Sequence, residues 1–273
     1  MERKRFLNKK GRNNVRYIDA LRTDAAVSGM FEHVKKLLAP VDALSKSGRV
    51  LTFRSRFAHI ERVTEWALRI AERENCDRGV VAVAAIFHDS GYCYAGEGHA
   101  ALSAQIFREY AVRCPGGAVS DSSNAVSALA PDSVPAASPA VSANVPNDAV
   151  TAILSDVAST MASSRSVELI SSVIAAHSSK DICNEDLPQE TKILMDADLL
   201  DEAGAIAVLW DCFVEAAEPD YNYASAYLRM LARFEGGKRD SKRFHTAEGK
   251  KLNANMRRYV RAFLNGLKTE LNC

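Results

Sequence analysis

The chain has almost no net charge: 35 Lys and Arg stand against 34 Asp and Glu in 273 residues, a formal charge of +1. A duplex-binding surface built on overall basicity is therefore not indicated, and nucleic acid is not the expected partner. Long hydrophobic runs are missing as well. The longest, Val80 to Phe87, is eight residues, far short of the ~20 that a membrane-spanning helix requires. The six cysteines, Cys76, Cys93, Cys114, Cys183, Cys212 and Cys273, contain no Cys-x-x-Cys pair. Their scatter argues against a zinc ribbon or disulfide framework and for a reducing, cytoplasmic compartment. No apolar stretch comes after the basic opening, so the N-terminus does not read as a secretory signal. Runs that alternate apolar and polar residues are absent too, and little sheet is expected.

The segments that are present are helical. Periodicity begins near Ala25 and governs most of the remaining chain, and 47% hydrophobic residues suffice for a core without staples. Met1 to Arg16 carries seven basic residues in sixteen, with Phe6 as its aromatic, and reads as a solvated tail. From Cys114 to Ser164 there is no Lys, Arg or aromatic residue, and five of the eight prolines fall there. Such a segment buries too little surface to offset its ordering entropy, so Pro115 to about Asn147 reads as a flexible Ala/Ser/Pro-rich insertion, with Asn147 opening a helix through Met161. The expectation is an all-α protein: a disordered tail over 1–24, then a single helical domain over 25–273 interrupted at about 115–147.

The chemistry lies in where the histidines fall. Ile60, Val63, Ala67 and Ile70 recur at helical spacing with His59 beside them, and Val81, Ala84 or Ala85, and His88 line the next face, with Asp89 directly after. Gly91 then suits a helix C-terminus. His99 leads Leu102, Ile106 and Tyr110; Val167, Ile170 and Ile174 lead to His177; Leu194 or Met195 leads to Asp198. Any one inward histidine is ordinarily a satisfied core residue. Five helices that each turn an imidazole or carboxylate inward are harder to satisfy by isolated hydrogen bonds, because buried carboxylates need a partner or a metal. Imidazole and carboxylate donors suit Zn, Mn, Fe or Ni, and a site without thiolate tends to keep open positions and to be catalytic.

The order His59, His88-Asp89, Asp198 resembles the HD-domain metal-dependent phosphohydrolases. The contexts match as well: His59-Ile-Glu-Arg62-Val63, Ala85-Ile-Phe-His88-Asp89, and Asp196-Ala-Asp198-Leu-Leu-Asp201 with Gly204 after it. Ala176-His177-Ser178, Lys192 and Thr246-Ala-Glu-Gly-Lys250 are similar to the small stand-alone bacterial branch. The resemblance spans about Phe53 to Arg113 and Arg165 to Leu271. It implies an HD-domain helical bundle in which His59, His88, Asp89 and Asp198 ligate a divalent ion (Mn, Fe, Ni, Zn, Co or Mg). That ion would activate a water for attack on phosphorus in a small phosphorylated substrate, a nucleotide first of all. Asp89 would also steer the water and act as the catalytic residue, and Asp196 would orient a histidine from behind.

Other positions stay open at this level. His99 and His177 fit either a second metal or a substrate contact. Arg62 faces either a phosphate or an ion-pair partner among Glu65, Asp89 and Asp201. Lys180 is a phosphate contact or a solvated loop lysine. Ser55 stands where some relatives carry a further histidine, and Ser90-Gly91 replaces the acidic pair of the alarmone hydrolases. His33 and His245 lie outside the pattern. The alternatives to a hydrolase are a catalytically idle HD module that senses a ligand or scaffolds, and a di-iron HD-fold oxygenase that needs both His99 and His177 as ligands.

The insertion should be dispensable. Loop-closure entropy changes by only ~0.6 kcal/mol per doubling of length, so replacing Pro115–Asn147 by a short Gly/Ser linker should leave the thermal midpoint and any hydrolase rate nearly intact. Collapse of either quantity would mean that the segment packs or binds substrate.

Overall fold

The computed structural model describes residues 16–44, 50–51, 53–114, 147–179, 186–216, 221–235 and 243–271. Among them the chain is all-α, with no strand beyond an isolated bridge between Leu44 and Val50. The helices are α1 (Tyr17–Leu21), α2 (Ala25–Leu38), α3 (Arg56–Ala71), α4 (Arg78–Phe87), α5 (His99–Arg113), α6 (Asn147–Met161), α7 (Ser164–Ala176), α8 (Gln189–Asp201), α9 (Ala205–Glu215), α10 (Tyr223–Glu235) and α11 (Ala247–Leu271).

Short polar side chains start the helices. Asp24 accepts from the amides of Ala26 and Val27 at α2, Ser55 from Ala58 at α3, Asp77 from Val80 at α4, and Ser163 from Ser166 at α7. Each satisfies an amide that the first turn leaves without an intrahelical acceptor. Ser55 also donates to Asp42, whose Oδ1 accepts from the Phe57 amide at 2.9 Å. The position that differs from some relatives is thus spent on fixing the start of the helix that carries His59.

The longest apolar run forms the hub. Every residue from Gly79 to Phe87 is buried, and α4 packs against α3, α6, α7 and α8. A helix apolar on all sides is stable only when neighbours cover it all round. Because α4 ends at His88, its C-terminus delivers the His88-Asp89 pair into the interior. A 3-10 turn, Ser90–Cys93, leads away towards α5.

Several expectations need correction. The domain begins before residue 25: in α1, Ile18 and Leu21 are 1% exposed within the main core, and the Ile18 amide donates to Glu65 at 3.2 Å. Gly91 does not end a helix. It lies within the 3-10 turn, its amide donates to Ser103 Oγ, and a Cβ there would stand 2.2 Å from the His99 carbonyl oxygen. Glycine is needed so that the turn can lie against α5. The helix expected from Asn147 to Met161 is α6; residues 1–15 and 115–146, which hold most of the expected tail and insertion, lie outside the described residues.

Asp196 has another role from the one expected. It does not touch a histidine ring of the centre. Its carboxylate accepts from the His245 amide at 2.8 Å, the Thr246 amide at 2.8 Å and Thr246 Oγ1 at 2.6 Å, holding the start of α11. Gly249 sits so close that a Cβ would meet Asp196 Oδ2 at 2.3 Å. Asp196→Ala leaves these buried donors unmatched and should cost about 3 kcal/mol. Gly249→Ala should destabilise in the same direction. Denaturant titration reads both losses, and elemental analysis of Asp196→Ala should show unchanged metal content. Loss of metal without loss of stability would return Asp196 to the task of orienting a ligand.

Candidate metal centre

Six side chains from five places in the sequence meet at the C-terminal end of α4. Asp89, with φ −107° and ψ 7° just past the helix, lies at the middle. Its Oδ1 is 3.3 Å from His99 Nε2, 3.5 Å from His177 Nε2 and 3.6 Å from His88 Nε2, and its Oδ2 is 3.5 Å from His59 Nε2. Asp198 Oδ1 adds a second carboxylate 3.2 Å from His59 Nε2.

The four rings are aimed alike because their Nδ1 atoms are already engaged. His88 and His177 come directly after the last residues of α4 and α7, and their Nδ1 atoms pair with the carbonyls three residues back, Ala85 at 2.8 Å and Ile174 at 2.6 Å. His99 does the same with Gly96 at 3.0 Å. At a helix C-terminus such a bond satisfies a carbonyl that the helix leaves open. His59 Nδ1 pairs with Asp201 Oδ2 at 2.7 Å. Each ring, fixed behind by an oxygen, turns Nε2 inward, the arrangement in which outer partners set the tautomer of a ligating histidine.

His88 and His177 form the floor, 0% and 1% exposed at the side chain, whereas His59 at 20% and His99 at 14% form the rim. Tyr92 stacks on His99 with ring centroids 4.2 Å apart, and the Arg56 guanidinium lies 4.1 Å over the Tyr92 ring.

The electrostatics divide the histidines. Burial, with His177 and His59 nearby, lowers His88 to about 4 against the opposing charge of Asp89. Burial acts downward on His59 too, but hydrogen bonds with Asp198 and Asp201 and the charges of Asp198 and Asp89 outweigh it and raise it to about 10. Asp89 is held well below the usual carboxylate range: burial pushes it up, and His88, His177, His99 and His59 pull it down further. Asp201 is lowered by His59 and Arg62 against its own burial.

His88 Nε2 is buried with no hydrogen-bond partner among the described residues. A buried polar nitrogen in that state is costly, and neutral imidazole beside ionised carboxylate is a donor set suited to a divalent cation. Three overlapping triads bring their donor atoms within 4.8 Å of one another: His59, His88 and Asp89; His88, His177 and Asp198; Asp89, His99 and His177.

Of the sequence-derived candidates, the structure brings together His59, His88, Asp89, Asp198, His99 and His177. Arg62 takes up the ion pair with Asp201, through Nε at 2.6 Å and a terminal nitrogen at 2.8 Å. Lys180 lies outside the described residues. The sequence offers Asp201 only as a partner for Arg62, yet it also holds the His59 ring. The Asp198-x-x-Asp201 spacing, which puts both carboxylates on one helix face, is the signal that points to it.

A four-imidazole, two-carboxylate centre at the end of a buried helix defines a class. The HD domain family model matches residues 56–203, and the chain belongs to the HD-domain family. A solved structure agrees at the level of the fold: Bacillus subtilis YpgQ in complex with ADP is 17% identical with a TM-score of 0.50, over 94% of this chain and 97% of that one. A Lactobacillus plantarum protein is 15% identical with a TM-score of 0.44, over 91% and 98%. Among curated proteins, none matches significantly. No helix among the described residues is long and apolar enough to cross a membrane.

The divided electrostatics are directly measurable. In chelator-treated protein, imidazole resonances should show His59 protonated through pH 8 and His88 neutral down to about 4. The reverse order would contradict the pairing of His59 with Asp198 and Asp201.

Proposed function

We propose that this chain is a metal-dependent phosphohydrolase that cleaves a phosphoester or phosphoanhydride in a nucleotide-like small molecule. The observation that carries the reading is the unpartnered, buried Nε2 of His88 facing an ionised Asp89 among three further inward Nε2 atoms. In this reading His59, His88, Asp89 and Asp198 hold a divalent cation. When bound, the cation supplies a Lewis acid to a phosphoryl oxygen and lowers the pKa of water towards ~7.

The chain's own residues do the rest. Asp89 is ionised and lies between the floor and the rim, so it orients the attacking water by accepting its hydrogen bond. Asp201, braced by Arg62, keeps His59 Nδ1 engaged and Nε2 inward. His99 and His177 stand on the Oδ1 side of Asp89, where the substrate's phosphoryl group would lie. The ADP bound by YpgQ makes nucleotides the first substrates to test.

One observation favours a two-cation version. His99 Nε2 and His177 Nε2 are 3.3 Å apart, while both Nδ1 atoms pair with carbonyl oxygens. When both rings are neutral, two lone pairs face each other at that distance, which is unfavourable unless a cation or proton lies between them. Asp89 Oδ1 faces both rings, at 3.3 and 3.5 Å, and the oxygenase alternative needs both of these histidines as ligands. Against an idle module stands the full ligand set, since buried carboxylates are costly to keep without a bound partner.

Manganese-reconstituted protein should hydrolyse members of a nucleotide panel, lose all turnover on chelation, and regain it with Mn. His88→Ala and Asp89→Ala should lose both metal and turnover, and Asp201→Asn should bind metal about 10–100-fold more weakly. Elemental analysis separates one ion per chain from two. Turnover that survives exhaustive chelation, or metal content unchanged in both alanine variants, would overturn the reading.

A further inference from the structure

Helix α9 is apolar on two sides. Ala207 and Val208 are buried, and Val208 belongs to the satellite core shared with α10 and α11. The other side carries Ile206, Leu209, half-buried Trp210 and Phe213, with Ile206, Leu209 and Phe213 exposed at 44%, 53% and 52%. This spacing is a continuous helical stripe. Phe53 joins it, 5.3 Å edge-on from Trp210 and 5.2 Å from Phe213 between ring centroids. Uncovered aromatic groups of this kind mark binding sites more often than chance.

Two features say what binds. First, the stripe is tied to the metal centre at both ends of the chain path. Phe53 and Arg54 lie just before α3, which carries His59, and α9 opens four residues after Asp201, which holds the His59 ring at 2.7 Å. Second, a cation flanks the aromatic shelf. The Arg54 guanidinium lies 5.2 Å over the Trp210 ring. Half-burial and the adjacent Arg56 lower its pKa, while Tyr92 and Asp89 are near enough for their charges to oppose this. Along the chain, the exposed Phe53 ring and this guanidinium thus lead directly into α3 and its His59.

We propose that Trp210, Phe213 and Phe53 hold the base of a nucleoside di- or triphosphate and that Arg54 holds its phosphate, making the enzyme selective for nucleotides over inorganic polyphosphates. The proposal rests on the hydrolase reading for its choice of substrate class. Stacking on an aromatic side chain accepts any base, because every base has a π-face, and a guanidinium suits phosphate oxygens. A protein partner fits less well: four half-exposed side chains offer on the order of a few hundred Å², against about 800 Å² per partner in a standard stable interface.

Trp210 reports on its own site, because the sequence has only one other tryptophan, Trp66. In Trp66→Phe protein with Mn present, ADP should quench Trp210 fluorescence, whereas inorganic pyrophosphate should displace ADP without quenching. Phe213→Ala should bind ADP about tenfold more weakly, as expected for loss of one stacking contact, with pyrophosphate affinity unchanged and Phe213→Tyr restoring ADP. Arg54→Ala should weaken both ligands. Thermal melts check that each variant is folded. The aromatic shelf is wrong if calorimetry detects ADP binding without quenching, if ADP does not bind at all, or if Phe213→Ala binds it with unchanged affinity. The hydrolase reading fails separately: quenching by ADP in a protein that turns over no nucleotide keeps the shelf and removes the enzyme.

Discussion

Everything in the centre depends on keeping the Asp89 carboxylate ionised inside the protein. An isolated buried carboxylate is expensive and would normally protonate instead. Here four imidazole Nε2 atoms lie within 3.3–3.6 Å of its two oxygens, and their combined effect drives its pKa far below the usual range. Those imidazoles need partners of their own. Their Nδ1 atoms take them from Asp201 and from three carbonyls, so each Nε2 that gives up its proton presents an inward lone pair whose natural counterpart is a cation.

The scaffold meets this demand with helix ends. His88 and His177 sit at the C-termini of α4 and α7, where open carbonyls are available three residues back, and His99 opens α5 with the same contact. The hub helix α4 must be covered all round to place His88 and Asp89, which explains why α3, α6, α7 and α8 crowd it. The ion pair of Arg62 with Asp201 crosses from α3 to α8 and fixes the rim to the same frame. Stability and site geometry thus depend on the same contacts.

The all-helical class and the inward histidines are legible in the sequence, because helical periodicity reports which face a residue occupies. It says nothing of direction on a helix buried all round. In α8 every residue from Ile193 to Asp201 is buried, so only family context ranks Asp198 above Asp196, and the role of Asp196 at α11 has no local signature. Helix α1, five residues long, is too short to show a period, so a domain start read from periodicity falls too late. The turn of Gly91 against α5 and the clamp of Arg62 on Asp201 join residues that no local pattern relates. Family context carries the proposed metal ligands; long-range contacts show which charged groups brace those side chains.

The claim that one buried carboxylate and its ring of imidazoles form a cation site is tested most directly by anomalous diffraction from crystals grown with Mn. The predicted result is an anomalous peak within bonding distance of His59 Nε2, His88 Nε2, Asp89 and Asp198, with the Nδ1 contacts of His59 to Asp201 and of His88 to Ala85 retained. A peak elsewhere on the chain, or an ordered centre with no peak at saturating Mn, would contradict it.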